Sequence, residues 1–266
     1  MLSVLRRLQK DRRGVSAIEF ALLAPILLLM FFGMVELSMA IMTQRRASHG
    51  DAAMGDLVSQ YGNPTYISGV AQGTSPVNPA MTFVTMNDIF TAADLIIEPY
   101  PIAPYLTRVS SIVVDPSGVA RIAWSCAPSS QSGTPTASSF ALTTAGGPWK
   151  AAAAYTPPAG LLTSTSTTTT TNGRSTTTTA LTPGDTLIMA ESAYPYTSSL
   201  KYFLKSTINF NNTFYFRARA SMSGVGFYAG ANNTAWNGVY NANSVATSAT
   251  SNSVTCSYQT GVAPTS

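Results

Sequence analysis

Residues 14–42 read GVSAIEFALLAPILLLMFFGMVELSMAIM. No residue from Phe20 to Val35 is charged, a run of sixteen. After Glu36 the apolar character resumes through Met42. As a helix rising 1.5 Å per residue, Phe20–Met42 spans about 35 Å, enough for a hydrocarbon core of about 30 Å. The preceding tail, MLSVLRRLQKDRRG, holds five basic residues and one acidic residue. The whole chain has formal net charge +4, so residues 15–266 are neutral overall. A basic flank stays in the cytoplasm, which places the C-terminal portion on the outer side. Arg45 and Arg46 follow the span and read as lipid-headgroup anchors. A secretory signal peptide shares the basic and apolar regions. Its apolar core is shorter, however, and no A-x-A site closes this one.

The composition excludes several function classes. Basic charge confined to a short tail leaves no basic stripe on the body, so no nucleic-acid partner is expected. Charged residues are only 10% of the chain, against about 25% in an average soluble domain. The profile, rich in Thr, Ser, Ala, Asn and Gly, suits an exported protein better than a cytosolic enzyme. One histidine, His49, rules out multi-histidine metal sites. It lies on a helical stretch with no Cys or second His at ligand spacing and reads as a surface or packing residue. No G-x-S-x-G, HExxH, Walker loop or Cys/His cluster occurs. The expectation is a non-enzyme with no cofactor and no metal.

Helical spacing continues beyond the span. Ala47, Gly50, Met54, Leu57, Val58 and Tyr61 recur at helical intervals, and Gly62-Asn63-Pro64 stops them. One helix is therefore predicted from about Val15 to Tyr61, apolar all round in its first half and amphipathic in its second. Residues 62–80 read as a loop. A helix starting near Thr85-Met86-Asn87-Asp88 carries a stripe of Met86, Ile89, Phe90, Ala93, Ile96 and Ile97. Val109–Val114 and Val119–Trp124 read as a β-hairpin around Asp115-Pro116-Ser117-Gly118.

Residues 127–180 are of low complexity. Between Thr163 and Thr179, eleven of seventeen residues are Thr and three are Ser. Such a stretch buries too little apolar surface to offset its ordering entropy. It reads as a flexible insertion and a candidate for glycosylation, or alternatively as an exposed β edge. A strand at Asp185–Ala190 running to Tyr196, a short helix at Ser199–Lys205 and a strand at Thr213–Ala220 follow. Trp236 reads as an anchor for the Gly/Asn/Ser/Thr-rich tail. The two cysteines, Cys126 and Cys256, both lie beyond the span. An even count in an oxidising compartment suggests a disulfide, with two free thiols as the alternative.

The opening has a sharper reading. A basic leader ends at Arg13-Gly14, an apolar helix begins at once, and Glu19 stands at its fifth position, followed by Phe20. This resembles the type IV prepilin pattern. Val15-Ser16-Ala17-Ile18-Glu19-Phe20-Ala21-Leu22-Leu23-Ala24-Pro25, with Phe32-Gly33-Met34-Val35-Glu36-Leu37 beyond it, resembles the TadE-like family, pseudopilins or minor pilins of the Tad (tight adherence) pilus system. Ala193-Tyr194-Pro195-Tyr196 is similar, more loosely, to a C-terminal part of such proteins.

The resemblance implies cleavage between Gly14 and Val15 by a prepilin peptidase. It implies assembly roles for Glu19, Phe20 and Pro25. Glu19 would pair with the amino group freed at Val15 of a neighbouring subunit, the alternative being a carboxylate solvated in the headgroup region, and Pro25 would kink the helix or is simply a tolerated membrane proline. Glu36 would pair with a partner helix or mark the outer interface. The implied partners are membrane lipid, the peptidase, other pilins and the inner-membrane assembly platform of Flp-type pili. The implied location is the bacterial inner membrane, single-pass, with the head periplasmic or carried into an extracellular pilus. The alternative is an unprocessed anchor with a periplasmic partner-binding domain, as in TadG-like proteins.

The expected fold is α+β and membrane-anchored, with a long transmembrane helix, a head containing a small antiparallel sheet and short helices, and a Thr-rich disordered insertion. The expected segments are a leader at 1–14, the span at 15–44 and its periplasmic extension at 45–61. Head residues 62–126 follow, then the insertion at 127–184 and the remaining head and tail at 185–266.

Overall fold

The computed structural model describes residues 13–61, 81–102, 104–131, 147–171, 174–198, 206–219, 227–228 and 245–260. The expectations for most of the leader, the loop at 62–80, the helix at Ser199–Lys205 and Trp236 lie outside these residues. The chain divides into two compact units, Met1–Thr43 with Tyr196–Ile208 and Gln44–Pro195 with Asn209–Ser266.

Helix α1, Arg13–Ser59, is 47 residues long, about 70 Å at the α-helical rise. Leu, Ala and Met dominate its first half and are strong helix formers. Pro25 sits inside it. The helix closes through tighter bonds, Gln60 N–H to the Leu57 carbonyl at 3.2 Å and Tyr61 N–H to the Val58 carbonyl at 3.1 Å.

The second unit is built on a six-stranded sheet. Its strands are β2 (Leu106–Val114), β3 (Ala120–Pro128), β6 (Thr186–Tyr196), β7 (Ile208–Phe216), β9 (Val245–Ser251) and β10 (Val254–Thr260). They lie in the order β7-β6-β2-β3-β10-β9. The β6–β2, β2–β3, β3–β10 and β10–β9 pairings are antiparallel. The β2–β3 turn forms where Pro and Gly flank Ser117, and Gly118 N–H donates to the Asp115 carbonyl at 3.0 Å. A register shift at Ser111/Ile112 bends this hairpin.

Strand β2 is buried along nearly its whole length, because both faces of the sheet are covered. On one face Ile112, Val114, Ala120, Ile122, Leu187 and Met189 pack with Trp149, Tyr155 and Leu162 from the 147–163 segment. Elsewhere in the unit, Trp124, Tyr258 and Phe83 surround the Phe227 ring with centroids 5.2–5.7 Å apart. Phe83 opens α2, Phe83–Ile97, whose buried residues also include Met86, Ile89, Phe90, Ala93 and Ile97. Each buried Phe, Met or Ile among them contributes about 1.5–3 kcal/mol. Helix α2 begins three residues before the predicted start. Its N-cap is Thr82, which accepts from Thr85 N–H at 3.2 Å. The capping pattern placed at Thr85 is the first turn itself. Thr82 ends the two-residue strand β1, Met81–Thr82, which pairs in parallel with β8, Phe227–Tyr228.

The Thr-rich stretch departs from a disordered insertion. Strands β4, Ser164–Thr171, and β5, Arg174–Leu181, pair antiparallel over eight residue pairs. Three causes act together. Threonine is β-branched and favours extended backbone. Asn172-Gly173 between the strands is a strong two-residue hairpin signal. Side-chain hydrogen bonds link Ser166 to Thr179 and Thr168 to Thr177, both at 3.1 Å. The base of the hairpin is held by Asp185, which accepts from the Thr163 N–H at 2.7 Å and the Thr163 hydroxyl at 2.9 Å.

Candidate functional site

The first half of α1 is apolar and uncovered. Between Ile18 and Met42 its large apolar side chains stand 42–70% exposed. Uncovered apolar surface on this scale marks an interface with lipid or protein. The helix contains a stretch long and apolar enough to cross a membrane.

Glu19, Phe20 and Pro25 all lie on this exposed helix. Gly14 and Val15 fall within its first turns. Among the described residues Glu19 has no hydrogen-bond or ion-pair partner. A carboxylate on an apolar helix is costly to leave so in lipid. Glu36 is different. It is buried at 2% exposure and accepts a hydrogen bond from the Ser198 hydroxyl, within the same unit. The second acidic residue of the helix is thus satisfied inside the chain, a role that neither reading of Glu36 as a partner-helix contact nor as an interface marker supplied.

In the second unit, the last part of α1 packs through Ala47, Met54 and Val58, each 0% exposed. Two glycines permit close approach. A Cβ at Gly50 would stand 2.6 Å from the Tyr105 hydroxyl, and one at Gly55 would overlap the Phe216 ring. Arg46, read as a headgroup anchor, has partners within the chain. It donates to the carbonyls of Ile96, at 3.4 Å, and Glu98, capping the C-terminal end of α2, where unpaired carbonyls collect partial negative charge.

Two buried polar groupings were not visible in the sequence. Asp51 accepts from the Ser192 hydroxyl at 2.8 Å, while its Oδ1 has no hydrogen-bond partner among the described residues. Burial, with a further contribution from the Glu191 charge, pushes its carboxyl well above the usual range. Arg108 and Glu191 face each other across β2 and β6 and pair at 2.8 Å with side chains 0% and 1% exposed. Arg108 also donates to the Gly147 carbonyl at 3.1 Å and lies 4.5 Å over the Trp149 ring. The Trp149 indole N–H donates to Glu191 at 2.7 Å. No sequence period signals a charge pair of residues 83 positions apart. Among the described residues Arg108 Nη2 and Glu191 Oε1, like Asp51 Oδ1, have no hydrogen-bond partner, while the bonds that the two groupings do make tie α1, β2, β6 and the 147–149 segment together.

Cys126 and Cys256 occupy paired positions on β3 and β10, are buried, and are joined in a disulfide with a Cα–Cα distance of 4.1 Å. Among the described residues no group of three or more His, Cys, Asp or Glu side chains could hold a metal ion.

No curated protein and no solved structure gives a significant match to the chain. Residues 14–50, which contain Gly14, Glu19, Phe20, Pro25 and Glu36, match the family described as TadE-like protein, so that this segment of the chain is TadE-like.

Proposed function

We propose that the chain is a pseudopilin or minor pilin: a prepilin peptidase cuts it between Gly14 and Val15, and it then takes part in assembling Tad pili for surface attachment. It is a structural component with no catalytic role, anchored once in the inner membrane with its head periplasmic. Its partners are other pilins and the assembly platform. The observation that carries this reading is the coincidence of the family match with an exposed apolar helix bearing near its start one carboxylate that has no partner among the described residues. A lipid-only anchor gains nothing from Glu19. A subunit that must find a neighbour's free amino group gains both register and a check on processing, because no such ammonium exists at Val15 before the cut.

Sheared pili and membranes from cells expressing the Glu19→Gln chain test this role. The variant is expected to be processed as the parent is, to remain in the membrane, and to be lost by about tenfold or more from pilus-associated material. Equal recovery of both chains with the pili would remove the assembly role of Glu19.

A further inference from the structure

Among the described residues β4 pairs only with β5, in a sheet of two strands. No described strand takes up the N–H and C=O groups on the outer edge of β4. Edges of this kind are normally blunted by Lys, Pro, a bulge or a cover. Here Ser164–Thr171 contains no Pro and no charge, and its register with β5 runs without a shift. The base of the β5 edge is less open: a Cβ at Gly118 would stand 3.2 Å from the Ala180 Cβ and 3.3 Å from the Leu181 carbonyl oxygen, so the Asp115–Gly118 turn lies against it.

We infer that the β4 edge is a homotypic docking strand, which pairs antiparallel with β4 of a second copy of this chain. The side-chain bonds at Ser166–Thr179 and Thr168–Thr177 mark the pairs whose side chains approach most closely. In an antiparallel ladder those residues direct their own N–H and C=O away from the partner strand. Ser166 and Thr168 thus face outward. Two β4 edges meeting about a two-fold axis set Ser166 against Thr168 of the other copy, with Thr167 opposite Thr167. About eight main-chain hydrogen bonds form, and two marginal two-stranded sheets become one of four strands.

A second copy is the occupant for two reasons. No charge occurs from Ala151 to Gly173, so like copies do not repel and a charged partner finds no complement. The edge also covers far less than the ~1,200 Å² of a free-standing interface. It holds only copies already concentrated together, and a shared membrane supplies that concentration. In this the inference rests on the anchoring proposed above.

Oxidative cross-linking in membrane vesicles tests it. The chain's two cysteines are already joined, so Thr167→Cys introduces the sole free thiol. Facing residues at a non-hydrogen-bonded antiparallel pair lie within disulfide reach. Thr167→Cys is expected to give a reductant-sensitive homodimer about tenfold more efficiently than Thr177→Cys on β5. Adding Thr168→Pro removes an outward N–H and leaves the main-chain bonds to β5 in place, at the loss of the Thr168–Thr177 side-chain bond, and Thr168→Lys loses the same side-chain bond and sets a charge on the edge. Both are expected to abolish the cross-link while the Cys126–Cys256 disulfide and the thermal midpoint are retained. A membrane-bound Thr167→Cys chain that gives no homodimer, or one that joins only a different protein, overturns the pairing. A chain recovered in the soluble fraction overturns both the anchoring and the pairing.

Discussion

Arg108 and Glu191 show what a single buried charge demands. The guanidinium and carboxylate are both out of water, and burial alone draws the Arg108 pKa below its usual value while Glu191 opposes that fall. Truncating one partner leaves the other uncompensated. Arg108→Ala is expected to destabilise the head by about 3–5 kcal/mol, whereas replacing the pair together by Arg108→Met and Glu191→Leu recovers most of that loss. Thermal or denaturant melts in detergent measure both. Asp51 predicts the pH dependence. Its folded carboxyl holds a proton well above 3.8, so the stability it contributes is complete below pH about 4 and is lost as pH rises through the folded value. Asp51→Asn is expected to flatten that loss. Asp115 acts in the opposite sense. Burial would raise it, but hydrogen bonds from the Ser117 hydroxyl, Arg121 and the Val119 N–H, with the Arg121 charge, hold it at about 2. Its contribution is present above pH about 4 and is lost as pH falls toward 2. Melting curves across pH should therefore fall off on both sides, and the Asp51 variant should lack the fall on the alkaline side.

At the scale of elements, helix α1 meets two environments: an apolar first half that is exposed and a second half that buries Ala47, Met54 and Val58. Both halves were legible because each writes its environment into the period of apolar residues. The β2–β3 hairpin was legible because Pro116 and Gly118 punctuate it. The start of α2 was displaced because Thr82 and Thr85 are both capping residues, and only the backbone shows which one accepts. Thr82→Ala is expected to cost about 1 kcal/mol, read from the same melts, while Thr85→Ala costs less. The Thr-rich hairpin was half legible. Composition argued against burial, correctly for its exposed residues, but composition says nothing about cross-strand pairing. The buried polar groups were illegible for a related reason. Arg108 looks like any residue on a strand until the register of β2 and β6 brings Glu191 beside it, and Ser192 does so until packing of α1 brings Asp51 to it.

On the scale of the whole molecule, the disulfide closes a sequence separation of 130 residues and ties β10 to the middle of the sheet. The chain-entropy argument allows about 4–5 kcal/mol for such a loop, so Cys126→Ser with Cys256→Ser is expected to lower the head's stability by about 2–5 kcal/mol in melts and to speed proteolysis of the C-terminal strands. The disulfide suits an oxidising compartment, in keeping with the proposal that the head lies on the outer side of the membrane. The central claim remains the cut that turns an anchored chain into an assembly subunit. Intact-mass and terminal-peptide mass spectrometry of the protein from native membranes reads it most directly. A chain beginning at Val15 is the predicted result; a chain beginning at Met1 in cells with an active prepilin peptidase would contradict it and leave a permanent anchor.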